Sequence, residues 1–195
     1  MTALRFGKST TITIPTVMTQ RLILRCWEAR DVAPYTAIAT DPEMSRYTGS
    51  PRTETAVWDM EAALTGHWHL RGFGMWALED RTTGEFVGRA GLYQEPGWPG
   101  IEAAWTIRRD RWNQSLAAEA GQAVLAFAFT HVGASQLVSL IHPENAASIR
   151  VARKLGFHAS GTQFRGDDVY TINVEGPGTH HAGTPAEPGR TGHAT

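Results

Sequence analysis

The sequence predicts an α/β fold, a mixed sheet with helices on both faces, and three observations predict it. Short segments of strand-like alternation are interleaved with longer segments of three- and four-residue apolar spacing. Glycines and prolines stand at the joints between them. The hydrophobic content of 42% over 195 residues suffices for one ordinary core.

Residues 1–18 are rich in Thr, have no helical period, and form a leader that either adds an edge strand or stays mobile. "RLILRCW" sets Leu22, Leu24 and Cys26 against Ile23, Arg25 and Trp27, the period of a first strand. "ARDVAPYTAIATD" has a helical look and tolerates Pro34 only in its first turn. "TETAVWDMEAALTGHWHL" spaces Val57, Met60, Ala63 and Leu64 as a helix would. "GMWALEDRTTGEFVGRAGLYQE" reads as two strands about a turn, with Gly84 supplying positive φ. "PGWPG" is a loop of helix and strand breakers, and "IEAAWTIRR" is a further strand.

The longest helix is "SLAAEAGQAVLAFAFTHVG". Leu116, Ala120, Val124, Phe127 and His131 make its inner face, and Gly133 stops it. "SQLVSLI" is a buried strand. "ENAASIRVARKLGF" is a helix with Ile149, Ala152 and Leu155 inward and Gly156 closing it. "HASGTQF" and "DVYTINVE" are the last two strands. Beyond Glu175 the chain has almost no large apolar residue, so 176–195 are expected to be a disordered tail behind one domain over 19–175.

Net charge is −1, so no global basic field invites nucleic acid. Cys26 is alone, which rules out an internal disulfide and a cysteine-rich zinc site, and reads as a small residue in a strand. His67 and His69 are two apart, wrong for one helix face, and no metal is assigned. The N-terminus lacks the pattern of a secretory signal, and no apolar run is long enough to span a bilayer. A cytoplasmic protein is the expectation. "NQS" matches a glycosylation sequon, which carries no weight without a secretory signal.

Two stretches carry chemistry. In "RWNQSLAAEA" a helix opens after a small polar cluster, with Arg108, Arg109 and Arg111 alongside. Its first N–H groups and dipole suit a phosphate, or equally an ordinary N-cap by Asn113 or Ser115. In "HPENAASIRVARKLGF", Asn145 and Ser148 lie three apart at a helix start. A carboxamide and a hydroxyl there can hold an amide-rich ligand and an incipient anion; Asn145 as a simple cap is the plainer reading.

Together these stretches resemble the GNAT superfamily of acyl-CoA-dependent N-acyltransferases, and more closely its ribosomal-protein N-terminal (alanine/serine) acetyltransferase branch. "TQRLILRCWEARD" looks like the branch's opening strand and turn, "GFGMWALEDRTTGEFVGRAGL" like its central hairpin, and "NAASIRVARKLGF" is the most specific match. The resemblance implies a mostly antiparallel central sheet whose two parallel central strands splay apart. The branch's Trp-Gly-x-Gly-x-Ala loop falls on residues 112–117. Trp112 and Ala117 match, whereas Asn113 and Ser115 replace both glycines and Arg109 stands where a proline is common. Asn tolerates left-handed backbone better than most residues, and Ser115 adds a hydroxyl, so a retained site with altered CoA affinity is expected.

The resemblance also implies a mechanism: a neutral amine attacks the acetyl-CoA thioester directly in a ternary complex. The pantetheine arm would run along the strand ending at Ile107 and be held by Asn145. N–H groups of Asn113, Gln114, Ser115, Leu116, Ala117 and Ala118, following Trp112, would take the pyrophosphate, with Arg153 or Lys154 at an outer phosphate. Ser148 would assist the leaving thiolate in place of the tyrosine common in relatives. Glu102 is the expected base, or else a structural carboxylate or ammonium anchor. Trp76, Tyr93 and Trp105 are candidates for the acceptor pocket. The partners implied are an acyl-CoA and an amine, either a protein N-terminus or a small molecule; no nucleic acid or membrane is expected, and a homodimer is left open. Two alternatives remain at this point: an inactive CoA-binding or regulatory module, and a transferase of a larger acyl group such as succinyl, drawn by the arginines at 108–111.

Overall fold

The computed structural model describes residues 11–49 and 53–174. The first ten residues of the leader and the expected disordered tail lie outside the described residues.

The strands are β1 (Val17–Met18), β2 (Leu22–Arg25), β3 (Met75–Asp80), β4 (Phe86–Tyr93), β5 (Glu102–Ile107), β6 (Gln136–Ile141), β7 (His158–Phe164) and β8 (Asp167–Asn173). They form one eight-stranded sheet in the order β1-β2-β3-β4-β5-β6-β8-β7. The leader thus ends in a short edge strand, paired through Val17 and Leu24. Every pairing is antiparallel except β5 with β6, which touch in parallel at Glu102 and Val138 alone. Beyond that pair the two strands diverge, as the resemblance implied.

The helices are α1 (Val32–Thr40), α2 (Pro42–Ser45), α3 (Glu54–Arg71), α4 (Leu116–Phe127) and α5 (Ala146–Lys154). Pro34 sits in the first turn of α1, where its missing N–H costs nothing. One core cluster joins Leu116, Ala120 and Val124 of α4 to Leu24, Trp76 and Ala103 of the sheet. A second joins Tyr35 and Ile38 of α1 and Val57 of α3 to Ala77 and Phe86. The sheet is therefore covered on both faces, and β3 is buried on both its sides instead of alternating.

Two helices differ from their sequence reading. On α3 the buried line is Val57, Glu61, Leu64, His67 and Trp68; Met60 is half-buried and Ala63 exposed. On α4 the inner face is as expected down to Phe127, but His131 is exposed and stacks on the Phe127 ring at 5.4 Å. The last turn widens over Ala128–Val132 and ends at Gly133, which takes the left-handed conformation. Close packing of α4 on the end of α5 depends on Gly121: a Cβ there would lie 2.5 Å from Leu155 Cδ1.

Candidate active site

The divergence of β5 from β6 leaves part of β5 without a strand neighbour. The Arg108 N–H donates to the Val87 carbonyl at 2.9 Å, and the Val138 N–H donates to the Ile101 carbonyl at 2.9 Å. Alternation along the strand then turns the peptide groups of Ala103, Trp105 and Ile107 toward the gap. The Ile107 carbonyl accepts the Trp112 indole N–H at 2.7 Å. Trp112 thus pins the loop to the strand end.

That loop answers for its absent glycines with its backbone. Asn113 has φ 60° and Ser115 has φ 61°, both left-handed. Such a conformation costs a non-glycine residue about 1–2 kcal/mol. Contacts from near and far in the chain hold it in place. Arg21 donates to the Gln114 carbonyl at 2.9 Å, and Arg111 Nε to Gln114 Oε1 at 3.3 Å. Lys154 Nζ donates to Ser115 Oγ at 3.1 Å. Glu119 fixes Arg21 in turn, at 2.7 Å. Ser115 occupies the N-cap position of α4 without a side-chain cap bond, so the ordinary-cap reading does not hold. Among the described residues, no acceptor takes the N–H groups of Leu116, Ala117 or Ala118. An anion is what such a helix start receives best.

At α5 the plainer reading of Asn145 does hold: its Oδ1 accepts the Ser148 N–H at 3.1 Å as the N-cap. Its carboxamide also borders a cavity of about 510 Å³, together with Ser148, Trp105, Tyr93 and Glu102. The cavity crosses the β5–β6 gap and is bounded on its far side by Met60, Ala63 and Leu64 of α3. Glu102 Oε2 accepts the Trp98 indole N–H at 2.9 Å, and Oε1 accepts the Leu140 N–H at 3.4 Å. Burial pushes its carboxyl up to about 7, against the pull of those two hydrogen bonds and of Arg89. A carboxylate poised there can exchange a proton near neutrality.

Several expected residues lie elsewhere. Trp76 is fully buried and packs against Trp68 and Phe127 at 4.8 and 5.0 Å, so it belongs to the core and not to the acceptor pocket. The Arg108–Arg111 cluster is taken up by protein carboxylates. Arg108 pairs with Asp110 at 2.7 Å, Arg109 with Asp41 at 3.6 Å, and Arg111 with Asp80. Arg111 and the Thr82 and Thr83 N–H groups hold Asp80 down to about 2. None of the three arginines borders the large cavity, which removes the basis for favouring an acidic acyl chain. Both basic residues ending α5 are exposed, and Lys154 reaches the loop. His67 is a structural residue: its Nδ1 donates to the Phe73 carbonyl at 2.7 Å and its Nε2 accepts the Gln94 N–H at 3.1 Å.

Other residues of the cavity carried no signal in the sequence. Tyr47 and His142 pack ring to ring at 5.0 Å, and both border it with Arg89 and Asp167. Only their convergence from four separate elements marks them.

The comparisons agree with this geometry. Residues 21–158 match the model of the Acetyltransferase (GNAT) domain. The chain belongs to the GNAT acetyltransferase family. It is 34% identical over 156 residues to the uncharacterized protein YkkB of Bacillus subtilis (strain 168), covering 75% of this chain and 87% of that one. The acetyltransferase from Agrobacterium tumefaciens str. C58 is 27% identical, with a TM-score of 0.75 over 86% of this chain and 99% of that one. Mycobacterium smegmatis RimJ in complex with CoA-disulfide shares the fold, at 19% identity and a TM-score of 0.64 over 82% of this chain and 87% of that one. This GNAT protein is an acyl-CoA-dependent N-acetyltransferase, which moves an acetyl group from acetyl-CoA to an amine.

Proposed function

We propose that this GNAT enzyme transfers the acetyl group to a primary amine by direct attack within a ternary complex, with the β5–β6 gap as the meeting place. The observation that carries this reading is what borders the gap. One end has an open helix start, the other a carboxyl raised toward neutrality, and a strand edge with free peptide groups lies between.

In this reading the N–H groups of residues 113–118 receive the pyrophosphate, and Lys154 supplies a charge beside it. The pantetheine amides pair with the exposed edge of β5 at Trp105 and Ile107. Asn145 commits its oxygen to the helix cap and keeps its amide donors for the pantetheine. Glu102 removes the proton of the attacking ammonium, directly or through a water. The neutral nitrogen attacks the thioester carbonyl, the C–S bond breaks, and the sulfur leaves as thiolate and takes up the second proton shed by the new amide nitrogen. Ser148, at the first turn of α5, donates its hydroxyl to that sulfur.

Calorimetry with acetyl-CoA, followed by thiol-release assays over an amine panel, tests the reading. Micromolar to sub-millimolar binding with amine-dependent release of CoA supports it. Absence of binding at millimolar ligand would sink it. Binding with no turnover on any amine would favour a regulatory CoA-binding module.

A further inference from the structure

Of the two arginines that border the cavity, Arg165 pairs with Glu95, whereas Arg89 has no ion pair among the described residues. It lies in the middle of β4, paired in register with Thr106, and borders the cavity. Its Nε is buried without a hydrogen-bond partner. One terminal nitrogen donates only to Met60 Sδ at 3.5 Å, and the guanidinium lies 5.0 Å from the Tyr35 ring centre. Among the described residues no carboxylate comes within salt-bridge distance of it. Arg25, level with it in the sheet across Ala77, is by contrast fully paired, taking Asp31 and Glu79.

Glu102 feels this charge without pairing with it among the described residues, and so does Glu61. Its side chain is buried on α3 with both oxygens unpartnered. Burial pushes its carboxyl up to about 8, so at neutral pH it is mostly uncharged. A half-buried cation with unsatisfied donors on the wall of a substrate cavity is a receptor for an anion, since leaving it unpaired is costly. A guanidinium favours planar carboxylates, which it can grip through two parallel hydrogen bonds.

We propose that Arg89 anchors a carboxylate of the acceptor, so that the acetyl group goes to a small amine bearing an acid, an amino-acid-like molecule. The inference rests on the transferase reading above and names the substrate class for the same site. The register sets the scale. Arg89 faces Thr106 and Glu102 faces Tyr93, four residues apart on each strand, or about 13 Å between Cα atoms along the sheet. Both side chains reach into the cavity, shortening that span. The cavity is of small-molecule size.

The test uses the full chain, acetyl-CoA and matched acceptors: L-amino acids and ω-amino acids of increasing chain length, each beside its primary-amide twin. Release of CoA should favour each accepted acid over its amide by about tenfold or more in kcat/KM, with one chain length best. Arg89→Gln should level acid and amide, mainly through KM, while acetyl-CoA affinity by calorimetry stays the same. Arg89→Lys should keep part of the preference, and if Arg89→Gln does not fold, this variant and the wild-type acid–amide series decide. Amides equal to their acids, or turnover of peptide N-termini or polyamines with none of any acid, would overturn the inference and leave the transferase standing. Failure of acetyl-CoA to bind overturns the transferase reading, and this inference with it.

Discussion

Glu102 is the residue on which the proposed chemistry can be tested most directly. Glu102→Gln keeps the shape and keeps an oxygen for the Trp98 indole, but cannot take a proton. With its carboxyl near 7, about one molecule in eleven is ionised at pH 6 and about ten in eleven at pH 8. Wild-type kcat/KM should therefore rise by roughly tenfold across that range, using an acceptor basic enough to stay an ammonium throughout. Removing a general base costs about a hundredfold or more, which is about 2.7 kcal/mol of barrier. The variant should show that loss and a flat profile. Trp98→Phe gives an independent check. It deletes a hydrogen bond that favours the ionised form, so the midpoint should move upward, by about one pH unit or less. The assay is thiol release at saturating acetyl-CoA, with calorimetry to show that the cofactor still binds. A Glu102→Gln enzyme with the wild-type rate and profile would refute the role of Glu102 as base.

Three further outcomes are expected. Ser148→Ala should lower kcat by about tenfold, the worth of one hydrogen bond to a developing charge, with acetyl-CoA affinity unchanged; unaltered turnover would remove Ser148 from the mechanism. Asn113→Gly combined with Ser115→Gly should leave acetyl-CoA affinity within about threefold of wild type, because the backbone is already left-handed at both positions; calorimetry showing much tighter binding would mean that the native residues impede it. Glu61→Gln should stabilise the fold above neutrality. In the native state this carboxyl is raised from 4.5 to about 8, so wild-type stability falls as pH climbs through that interval and levels off above it. Urea titrations at about pH 5 and pH 9 should show the variant's advantage growing, by at most about 4 kcal/mol; a difference that does not change with pH would mean that Glu61 is ionised in the fold.

Much of the fold was legible because its information is local. Strand and helix periods, Pro34 in a first turn, and Gly84 and Gly133 at reversals each need only a few neighbouring residues. The unreadable parts depend on side chains that meet across the sheet. Glu61 at a buried position of α3 breaks the apolar pattern, and its burial and raised carboxyl appear only once the helix is packed on the sheet. Trp76 alternates like a pocket residue, yet it points to the face packed by α4, where Phe127 meets it. Arg109 and Arg111 look free in sequence because their partners, Asp41 and Asp80, are distant in the chain.

The phosphate loop shows the same limit from the other side. A glycine motif is a stand-in for a backbone requirement, a positive φ that lets N–H groups converge. Asn113 and Ser115 meet that requirement without the motif. Arg21 reaches Gln114 across 93 residues of sequence and Lys154 reaches Ser115 across 39. Such braces offset strain that a glycine would not have incurred, and they leave the loop less freedom than glycines would. The replaced glycines therefore mark a loop whose shape is set by its surroundings. Its affinity for acetyl-CoA should respond more to Arg21→Ala, which removes the brace on the Gln114 carbonyl, than to restoring the glycines: calorimetry should show that loss weakening binding by severalfold or more, and affinity indifferent to it would show that the loop holds its shape without Arg21.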